Sequence, residues 1–475
     1  MPACGPVCGA ELRFHRRGAA RRRCAPPQPR VSFDPMWLLP YLSAVSAAGV
    51  RLYYRASRDG QVVPPSGPVL LVGNHPNSLL DPAFVAWVAS RPVRFLAKEP
   101  LFRDRLIGWL VRASGSIPVY RKHDDPTMVA RNDETFRAVF EALGGGSAVA
   151  LFPEGISHSE PALAPLKTGA ARIALGALPS VGHPFPIIPV GLVFRAKDRF
   201  RSQAHAVAGA PVEWDDLATR SADDHDAVRE LTERIERSMR LVTLNLARWE
   251  DEAVVRTAEA VWSATRPVDP APAARTARLA TTADALARLR ASGDARWEVL
   301  ARDVREYARI LRVLGLRPQD VANRTSISAA VRWAFRRLTV VGIAMGAVAA
   351  AAIAVFWLPY RLTGFVASRM TRDKDTVSTY RVLGGAVIFL LWIFALSLVA
   401  AAAWGWWAAC IAMAGMPALA VAGLAAAEYS WWTIATARRW LVARRGDPRI
   451  DALRARQGEL SRRLEEALAA TEPAP

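Results

Sequence analysis

The sequence predicts an α/β domain, in which helices flank a mixed sheet, followed by a helical segment and C-terminal transmembrane helices. Three observations support this fold class. Short apolar runs alternate with helical stretches from about residue 64, which is the pattern of strands and helices packed in layers. Charged amphipathic sequence follows over 222–315. Two long uncharged segments then come after residue 337, and these are long enough to cross a bilayer.

Composition argues against several classes of protein. The 475 residues allow two or three structural units, and the 52% apolar content is too high for a disordered chain. Three of the four cysteines fall within the first 24 residues, which argues against a disulfide-stapled secreted scaffold. No Cys/His cluster has the spacing of a zinc site. We therefore expect neither a disulfide framework nor a bound metal.

The positive charge of the chain points to a membrane surface. There are 62 Lys and Arg residues against 43 Asp and Glu, a formal net charge of +19, and only five of the basic residues are Lys. No zinc finger, aromatic RNA-binding motif or basic heptad helix accompanies this excess, so nucleic acid is not an expected partner. An anionic phospholipid membrane is the better partner, because the chain also has long uncharged segments.

The N-terminal region is expected to contain a leader and an anchor. Residues 1–35 are rich in Arg and Pro and should be disordered. Residues 36–50 are uncharged over 15 positions, which gives a helix of about 22 Å, too short for a hydrocarbon core of ~30 Å. We expect an interfacial membrane-anchoring helix within 36–63. Met36 could also be the true start of translation.

The α/β domain is expected over residues 64–215. Its strands are predicted from five apolar runs, at 68–73, 93–97, 116–120, 147–152 and 187–194. Helical patterns lie between them at 128–143 and 166–178. The charged segment 216–337 is expected to be helical, and 438–475 should form a charged amphipathic tail.

The membrane region is expected at 338–437. Residues 338–360 are uncharged over 23 positions and 382–427 over 46. A segment as long as the second predicts two crossings, 382–403 and 406–427, joined near Gly405 and its neighbouring tryptophans. Arg-rich sequence flanks all of these segments, so every flank favours the cytosol. Segment 338–360 is therefore either a plain span or a bent helix that returns to the same face.

One motif suggests acid–base chemistry. Residues 73–82 read Gly-Asn-His-Pro-Asn-Ser-Leu-Leu-Asp-Pro and follow a predicted strand. The imidazole of His75 can take a proton from a hydroxyl near neutral pH. A carboxylate from Asp81 on its other ring nitrogen would fix the tautomer and stabilise the imidazolium. Taken alone, the motif could equally be a capped turn with an incidental histidine.

Three further stretches give this motif a context. They are Gly-Ser-Ile-Pro-Val-Tyr-Arg at 115–121, Phe-Pro-Glu-Gly-Ile-Ser-His at 152–158 with Leu-Lys-Thr-Gly at 166–169, and Ile-Ile-Pro-Val-Gly at 187–191. Together with the His-Asp motif, this set resembles the four blocks of the glycerolipid acyltransferase superfamily, which occur here in order within residues 74–191. The resemblance implies an α/β catalytic domain that acts on glycerol phosphates.

The resemblance implies specific roles for site residues. His75 would be the general base and Asp81 its partner, while Arg121, Glu154 and Gly155 would bind the glycerol phosphate. A guanidinium can bind phosphate bidentately, and glycine lets backbone N–H groups approach an anion. A glutamate beside the phosphate would be expected to hold the Arg or a substrate hydroxyl. Further candidates for substrate binding are Asn74, Ser157, His158 and Lys167.

The first block departs from the common pattern. Five residues separate His75 from Asp81, one more than usual, and on a continuous helix these side chains would not meet. We expect the extra residue to be absorbed in the turn before the helix. The longer block looks more like the fungal-type glycerol-3-phosphate/dihydroxyacetone-phosphate acyltransferases and similar bacterial proteins. The resemblance also includes a loop around 373–379 in the membrane region, but it is loose outside 64–215.

The resemblance implies a membrane-bound acyltransferase of phospholipid biosynthesis. It would move a fatty acyl group from acyl-CoA, a co-substrate, to glycerol 3-phosphate or dihydroxyacetone phosphate at the cytosolic face, with no cofactor. One alternative acceptor is lysophosphatidate or another lysophospholipid. A second alternative is a non-catalytic membrane scaffold. The presence of both His75 and Asp81, and the lack of charged membrane segments, argue against the scaffold.

Overall fold

The computed structural model describes residues 39–104, 107–121, 131–293, 295–323, 327–371, 376–444 and 448–469. The expected leader 1–35, the alternative start at Met36 and the loop residues 373–375 lie outside the described residues.

The α/β domain contains seven strands and seven helices among the described residues. In chain order they are α1 (Leu39–Tyr53), β1 (Arg55–Gly60), β2 (Val69–Gly73), α2 (Leu80–Ala89), β3 (Val93–Lys98), α3 (Pro100–Arg103), α4 (Gly108–Ala113), β4 (Ile117–Val119), α5 (Asn132–Gly144), β5 (Ala148–Leu151), α6 (Gly169–Val181), β6 (Ile187–Phe194), β7 (Gln203–Ala208) and α7 (His225–Val242).

A single mixed sheet organises this domain. The strand order is β1-β7-β6-β2-β5-β3-β4, and every neighbouring pair is parallel except β6 with β7. Strand β2 therefore lies in the middle, between β5 and β6. Because all three run in the same direction, the loops that follow them meet at one edge of the sheet. The predicted mixed sheet flanked by helices is confirmed.

Helices cover both faces of the sheet. Successive side chains of β2 point to opposite faces, so Leu70 and Val72 pack with α5, α6 and α7, whereas Val69 and Leu71 pack with α1 and α2. All five residues of β2 are buried. A strand that is buried on both faces reads as a continuous apolar run in the sequence, which is why it was predictable.

The N-terminal anchor is shorter than the sequence suggested. Within 36–63, the described helix α1 ends at Tyr53, and residues 55–60 form the edge strand β1. This strand reads Arg-Ala-Ser-Arg-Asp-Gly and pairs with β7 along one side. An edge strand can be polar because much of it faces water, so it has no apolar run that reveals it.

The described residues that follow α7 are mostly helical. The elements are α8 (Glu250–Ala264), α9 (Pro272–Ala291), α10 (Ala295–Leu314), α11 (Pro318–Ala322), α12 (Ile327–Leu338), α13 (Val340–Met370), α14 (Val377–Trp404), α15 (Trp406–Arg444) and α16 (Pro448–Ala469). Helix α16 occupies most of the segment that was expected to be a charged tail. Its buried Ile450, Leu453, Leu460 and Leu464 join the core formed by α8–α11, so the chain returns to the helical segment after the membrane region.

Among the described residues, three helices are long and apolar enough to cross a membrane. They correspond to Gly342–Met370, Val377–Trp404 and Trp406–Ala443. Helices α14 and α15 are joined at Gly405, whose φ of +87° suits the turn between them. The rings of Trp406 and Trp407 stack beside this turn. The third of these helices runs well beyond residue 427, where the sequence suggested its end.

Both ends of α13 lie at the end of the α14–α15 hairpin that is remote from Gly405. Just before its start, at the end of α12, the Arg337 guanidinium lies over the rings of Tyr429 and Trp432. At its other end, the Thr371 and Thr376 hydroxyls are hydrogen bonded at 2.8 Å. Tyr429 and Trp432 lie about as far after Gly405 as Thr376 lies before it, so the two contacts are at similar depth.

The middle of α13 reaches deeper into the hairpin. The Trp392 indole N–H donates to the Val355 carbonyl at 3.0 Å, and Gly423 lies against Ala352. Pro359 lies inside this helix, and an internal proline removes a hydrogen bond and favours a bend. These contacts favour the bent helix that returns to the same face over a plain span.

Labelling of introduced cysteines tests this topology. In a variant that lacks the native cysteines, we introduce Val331→Cys in α12, on the N-terminal side of α13, and Ser368→Cys near the end of α13. We expect both to react with an impermeant maleimide from the same side of sealed vesicles, because both ends of α13 lie at one depth. Trp404→Cys, at the hairpin tip, is the control and should react from the opposite side. Labelling of residues 331 and 368 from opposite sides would show that α13 crosses the bilayer.

Candidate active site

The candidate site lies where the loops after β2, β5 and β6 meet. Asn74 follows β2, and its amide is bound to the main chain of β6: the side-chain nitrogen donates to the Leu192 carbonyl at 3.0 Å, and the Leu192 N–H donates to the side-chain oxygen at 2.7 Å. These two bonds fix the point at which the chain leaves the sheet. Asn74 thus has a structural role, and its direct contact with substrate stays a prediction.

His75 and Asp81 are in direct contact. The Nδ1 of His75 donates to the Asp81 carboxylate at 2.8 Å, and the Asn77 backbone N–H donates to the same oxygen at 2.6 Å. Helix α2 begins only at Leu80. The extra residue of the motif is thus taken up by the turn 76–79, where Ser78 has a φ of +49°.

The environments of the two side chains suit a base and its partner. Asp81 is fully buried, whereas 20% of the His75 side chain is exposed. Burial raises the pKa of Asp81, while the hydrogen bonds from His75 and the Asn77 N–H act in the opposite direction. The His75 ring stacks on Phe152 with centroids 4.1 Å apart. With Nδ1 bound to Asp81 and one face covered, Nε2 is the ring nitrogen left to accept a proton.

Glu154 joins the loop after β5 to the loop after β2. Its carboxylate accepts the His75 backbone N–H at 2.9 Å and the Ala164 N–H at 2.8 Å, and it also accepts from His158 Nε2. Only 3% of the residue is exposed. The expectation that Glu154 holds the arginine or a substrate hydroxyl does not match these contacts, because both carboxylate oxygens are bound to groups of the protein itself.

Two cationic side chains meet at Gly155. The Arg121 guanidinium donates to the Gly155 carbonyl at 2.6 Å. A Cβ at Gly155 would lie only 2.4 Å from the Lys167 ammonium, and the φ of +74° also favours glycine. Glycine therefore lets the lysine approach the main chain closely. We call the surroundings of Gly155, with the side chains of Arg121 and Lys167, the positive region. It lies beside the His75 loop, and positive charge of this kind is what a phosphate would require.

The remaining predicted binding residues connect the loops to each other. Ser157 accepts the Ser78 backbone N–H at 3.1 Å, and the His158 backbone N–H donates to the His75 carbonyl at 3.2 Å. Both residues thus hold the turn 76–79 against the loop after β5. Their direct contact with substrate stays a prediction.

Sequence reasoning missed Lys197. Its ammonium donates to the Pro76 carbonyl and, at 2.7 Å, to the Ser159 hydroxyl. It is one of only five lysines in a chain that otherwise uses arginine, which was the available signal. Within the described residues, no group of three or more His, Cys, Asp or Glu side chains could hold a metal ion.

Replacement of Glu154 should destabilise the fold. In Glu154→Gln, the new amide nitrogen must face backbone N–H groups that now donate to the carboxylate, and a buried hydrogen-bonding mismatch costs about 1–3 kcal/mol. We expect a lower thermal unfolding temperature for the detergent-solubilised variant. Glu160→Gln, an exposed residue of the same loop, makes the same chemical change and should match the wild type. Equal stability of all three proteins would contradict this role for Glu154.

Comparison with known proteins identifies the domain that contains these residues. Residues 56–193 match the family model described as Acyltransferase. Two proteins of Saccharomyces cerevisiae, glycerol-3-phosphate O-acyltransferase 2 and glycerol-3-phosphate O-acyltransferase 1, are 32% identical over 145 residues and 34% identical over 129 residues. The matched segments cover 30% and 26% of this chain, but only 20% and 17% of the yeast proteins.

Among solved structures, the 1-acyl-sn-glycerophosphate acyltransferase PlsC from Thermotoga maritima matches with a TM-score of 0.32 and 16% identity, over 43% of this chain and 78% of that one. The sequence resemblance to glycerolipid acyltransferases is confirmed by the family match and the yeast relatives. Residues 56–193 of this chain are therefore an acyltransferase domain that is similar to the yeast glycerol-3-phosphate O-acyltransferases.

Proposed function

We propose that this protein is a membrane-bound O-acyltransferase that moves a fatty acyl group from acyl-CoA to a hydroxyl of glycerol 3-phosphate or dihydroxyacetone phosphate in phospholipid biosynthesis. The observation that supports this most directly is the connected arrangement of the site. Glu154 links the His75–Asp81 pair to Gly155, and Arg121 and Lys167 both reach Gly155. A proton acceptor and a positively charged region thus lie on adjoining loops.

In the proposed reaction, the acceptor hydroxyl attacks the thioester carbonyl carbon while Nε2 of His75 takes its proton. The buried Asp81 carboxylate stabilises the imidazolium that forms and keeps the ring in position. When the tetrahedral intermediate collapses, the C–S bond breaks and the imidazolium proton goes to the coenzyme A thiolate. The direct attack requires no nucleophilic side chain of the protein. Cys410 is exposed in α15, close to the hairpin tip, and takes no part.

The positive region would bind and orient the acceptor phosphate. A guanidinium offers several N–H donors in one plane, and an ammonium adds a compact charge. Holding the phosphate at Gly155 brings the acceptor hydroxyl towards Nε2 of His75, and such orientation can supply a large part of a rate acceleration. Arg121 would keep the Gly155 carbonyl as one partner, which fixes the guanidinium beside the phosphate.

We further propose that the domain faces the cytosol at the membrane surface. One end of the hairpin contacts the domain, because Glu428 of α15 pairs with Arg55 and Arg201 of the domain. Arg438 and Arg439 follow Glu428 in the chain, and such basic flanks favour the cytosolic side. Helix α1 exposes Tyr41, Val45 and Leu52. An apolar face of this kind beside the domain suits an acyl chain that enters or leaves the bilayer.

The alternative acceptor is lysophosphatidate. It carries the same phosphate, but it needs a second apolar groove for its acyl chain, which the α1 face or the membrane could supply. Two observations favour the smaller acceptor: the five-residue spacing of the first block, and the names of the two yeast relatives.

Steady-state kinetics with the purified full-length protein test the proposal. With acyl-CoA as donor, we expect kcat/KM for glycerol 3-phosphate or dihydroxyacetone phosphate to exceed that for lysophosphatidate by at least about tenfold, a transition-state preference of about 1.4 kcal/mol. Protein purified in parallel with the His75→Ala substitution controls for contaminating host enzymes. A tenfold preference for lysophosphatidate would overturn the proposed acceptor, and no transfer to any acceptor would overturn the proposed reaction.

A further inference from the structure

The loop between β6 and β7, residues 195–202, connects the candidate site to the membrane helices. Lys197 lies within it, and its ammonium has three donors to offer. It donates to the Pro76 carbonyl, to the Ser159 hydroxyl at 2.7 Å and, more distantly, to the His158 carbonyl at 3.5 Å. One side chain thus connects the turn next to His75 with the loop that contains Glu154.

The backbone carbonyl of Lys197 accepts two hydrogen bonds from other parts of the protein. It accepts from the Tyr54 hydroxyl at the α1–β1 junction and from the Ser378 hydroxyl near the start of α14. Tyr54 is completely buried, and its oxygen also accepts from the Asn77 amide at 2.8 Å. Asn77, Tyr54, Lys197 and Pro76 therefore form a closed ring of contacts around the turn that joins His75 to Asp81.

The membrane helices also hold the residues that follow Lys197. Arg381 of α14 donates to the Asp198 carbonyl. Arg201, with a φ of +58°, donates to the carbonyls of Arg51, Leu52 and Tyr54 at the end of α1. It also pairs with Glu428 of α15 through two bonds of 2.6 and 2.8 Å. The position of the loop consequently depends on α14 and α15.

The position of the loop 195–202 affects the position of the His75 imidazole. Pro76 is the residue next to His75, so a shift of its carbonyl moves the imidazole relative to Asp81 and the bound acceptor. Catalytic groups must be held within about 0.5 Å of the productive geometry. Burial raises the pKa of Asp81, and the positive charge of Lys197 is one of the groups that oppose this rise. The contacts of Lys197 therefore favour a His75 ring that is aligned with Asp81.

We propose that Lys197 is a positioning residue for the His75–Asp81 pair, and that through its carbonyl it makes the geometry of this pair depend on the docking of membrane helix α14. The inference rests on the proposed acyl transfer. It gives the membrane helices a role in the geometry of the His75–Asp81 pair, in addition to anchoring the domain.

Kinetics of Lys197 variants test the inference. Lys197→Met removes the charge and the donors but keeps an unbranched side chain, and we expect kcat to fall by about 10- to 100-fold with little change in KM for either substrate. Lys197→Arg retains donors and should restore most of kcat. Arg199→Met removes one positive charge from an exposed position of the same loop and should behave as wild type. A kcat for Lys197→Met within twofold of wild type, or an effect on KM alone, would overturn the inference.

A variant of α14 tests the dependence on the membrane helix. Ser378→Ala removes the hydroxyl that donates to the Lys197 carbonyl, and we expect kcat to fall at least threefold at unchanged KM. Thr376→Ala, at the preceding turn, alters a hydroxyl that bonds within the membrane region and is the matched control. Wild-type kinetics for Ser378→Ala would overturn the proposed dependence on α14.

Hydrogen exchange separates failure of this inference from failure of the proposed function. The Asn77 N–H is held by Asp81, so Lys197→Met should accelerate amide exchange over residues 77–81, whereas Arg199→Met should not. This readout needs no enzyme activity. Unchanged exchange in Lys197→Met would contradict the positioning role even if the protein proves to have no acyltransferase activity.

Discussion

The geometry of the site depends on one buried carboxylate. Glu154 binds the backbone N–H groups of His75 and Ala164 and the side chain of His158, so it fixes the loop after β5 against the loop after β2. The cost of burying a charge is met by these hydrogen bonds. Because Gly155 comes directly after it, the same interaction sets the distance between the base and the positive region formed by Arg121 and Lys167. The acceptor hydroxyl can be held in reach of the base only if this distance is fixed.

A second constraint comes from the membrane side. The helices that follow the α/β domain by more than 100 residues return to it through Ser378, Arg381 and Glu428. All three contact the loop that contains Lys197. The membrane helices therefore contact the loop beside the candidate site directly, which is the basis for the proposed dependence of the site on α14.

How much of the fold and of the site could be predicted from the sequence depends on how far apart in the chain the interacting residues lie. The buried strand β2 was predictable because it is one continuous apolar run. The pairing of His75 with Asp81 was predictable because the two residues belong to one short motif. The polar edge strand β1 was not predictable, since it has no apolar run. The packing of α16 was not predictable either, since an amphipathic pattern does not say which part of the protein covers its apolar face. The inward orientation of Glu154 and the contacts of Lys197 join residues far apart in the chain. Only the folded sheet brings them together.

The central claim is that His75 is the base of an acyl transfer, and the rate of transfer with and without the imidazole tests it most directly. The measurement is kcat for transfer from acyl-CoA to glycerol 3-phosphate by purified wild-type protein and by His75→Ala, with hydrogen exchange to show that the fold is retained. Removal of a positioned base lowers rates by about 10²–10⁴-fold, and the account predicts a loss in this range. A folded His75→Ala protein that retains most of the wild-type kcat would contradict it.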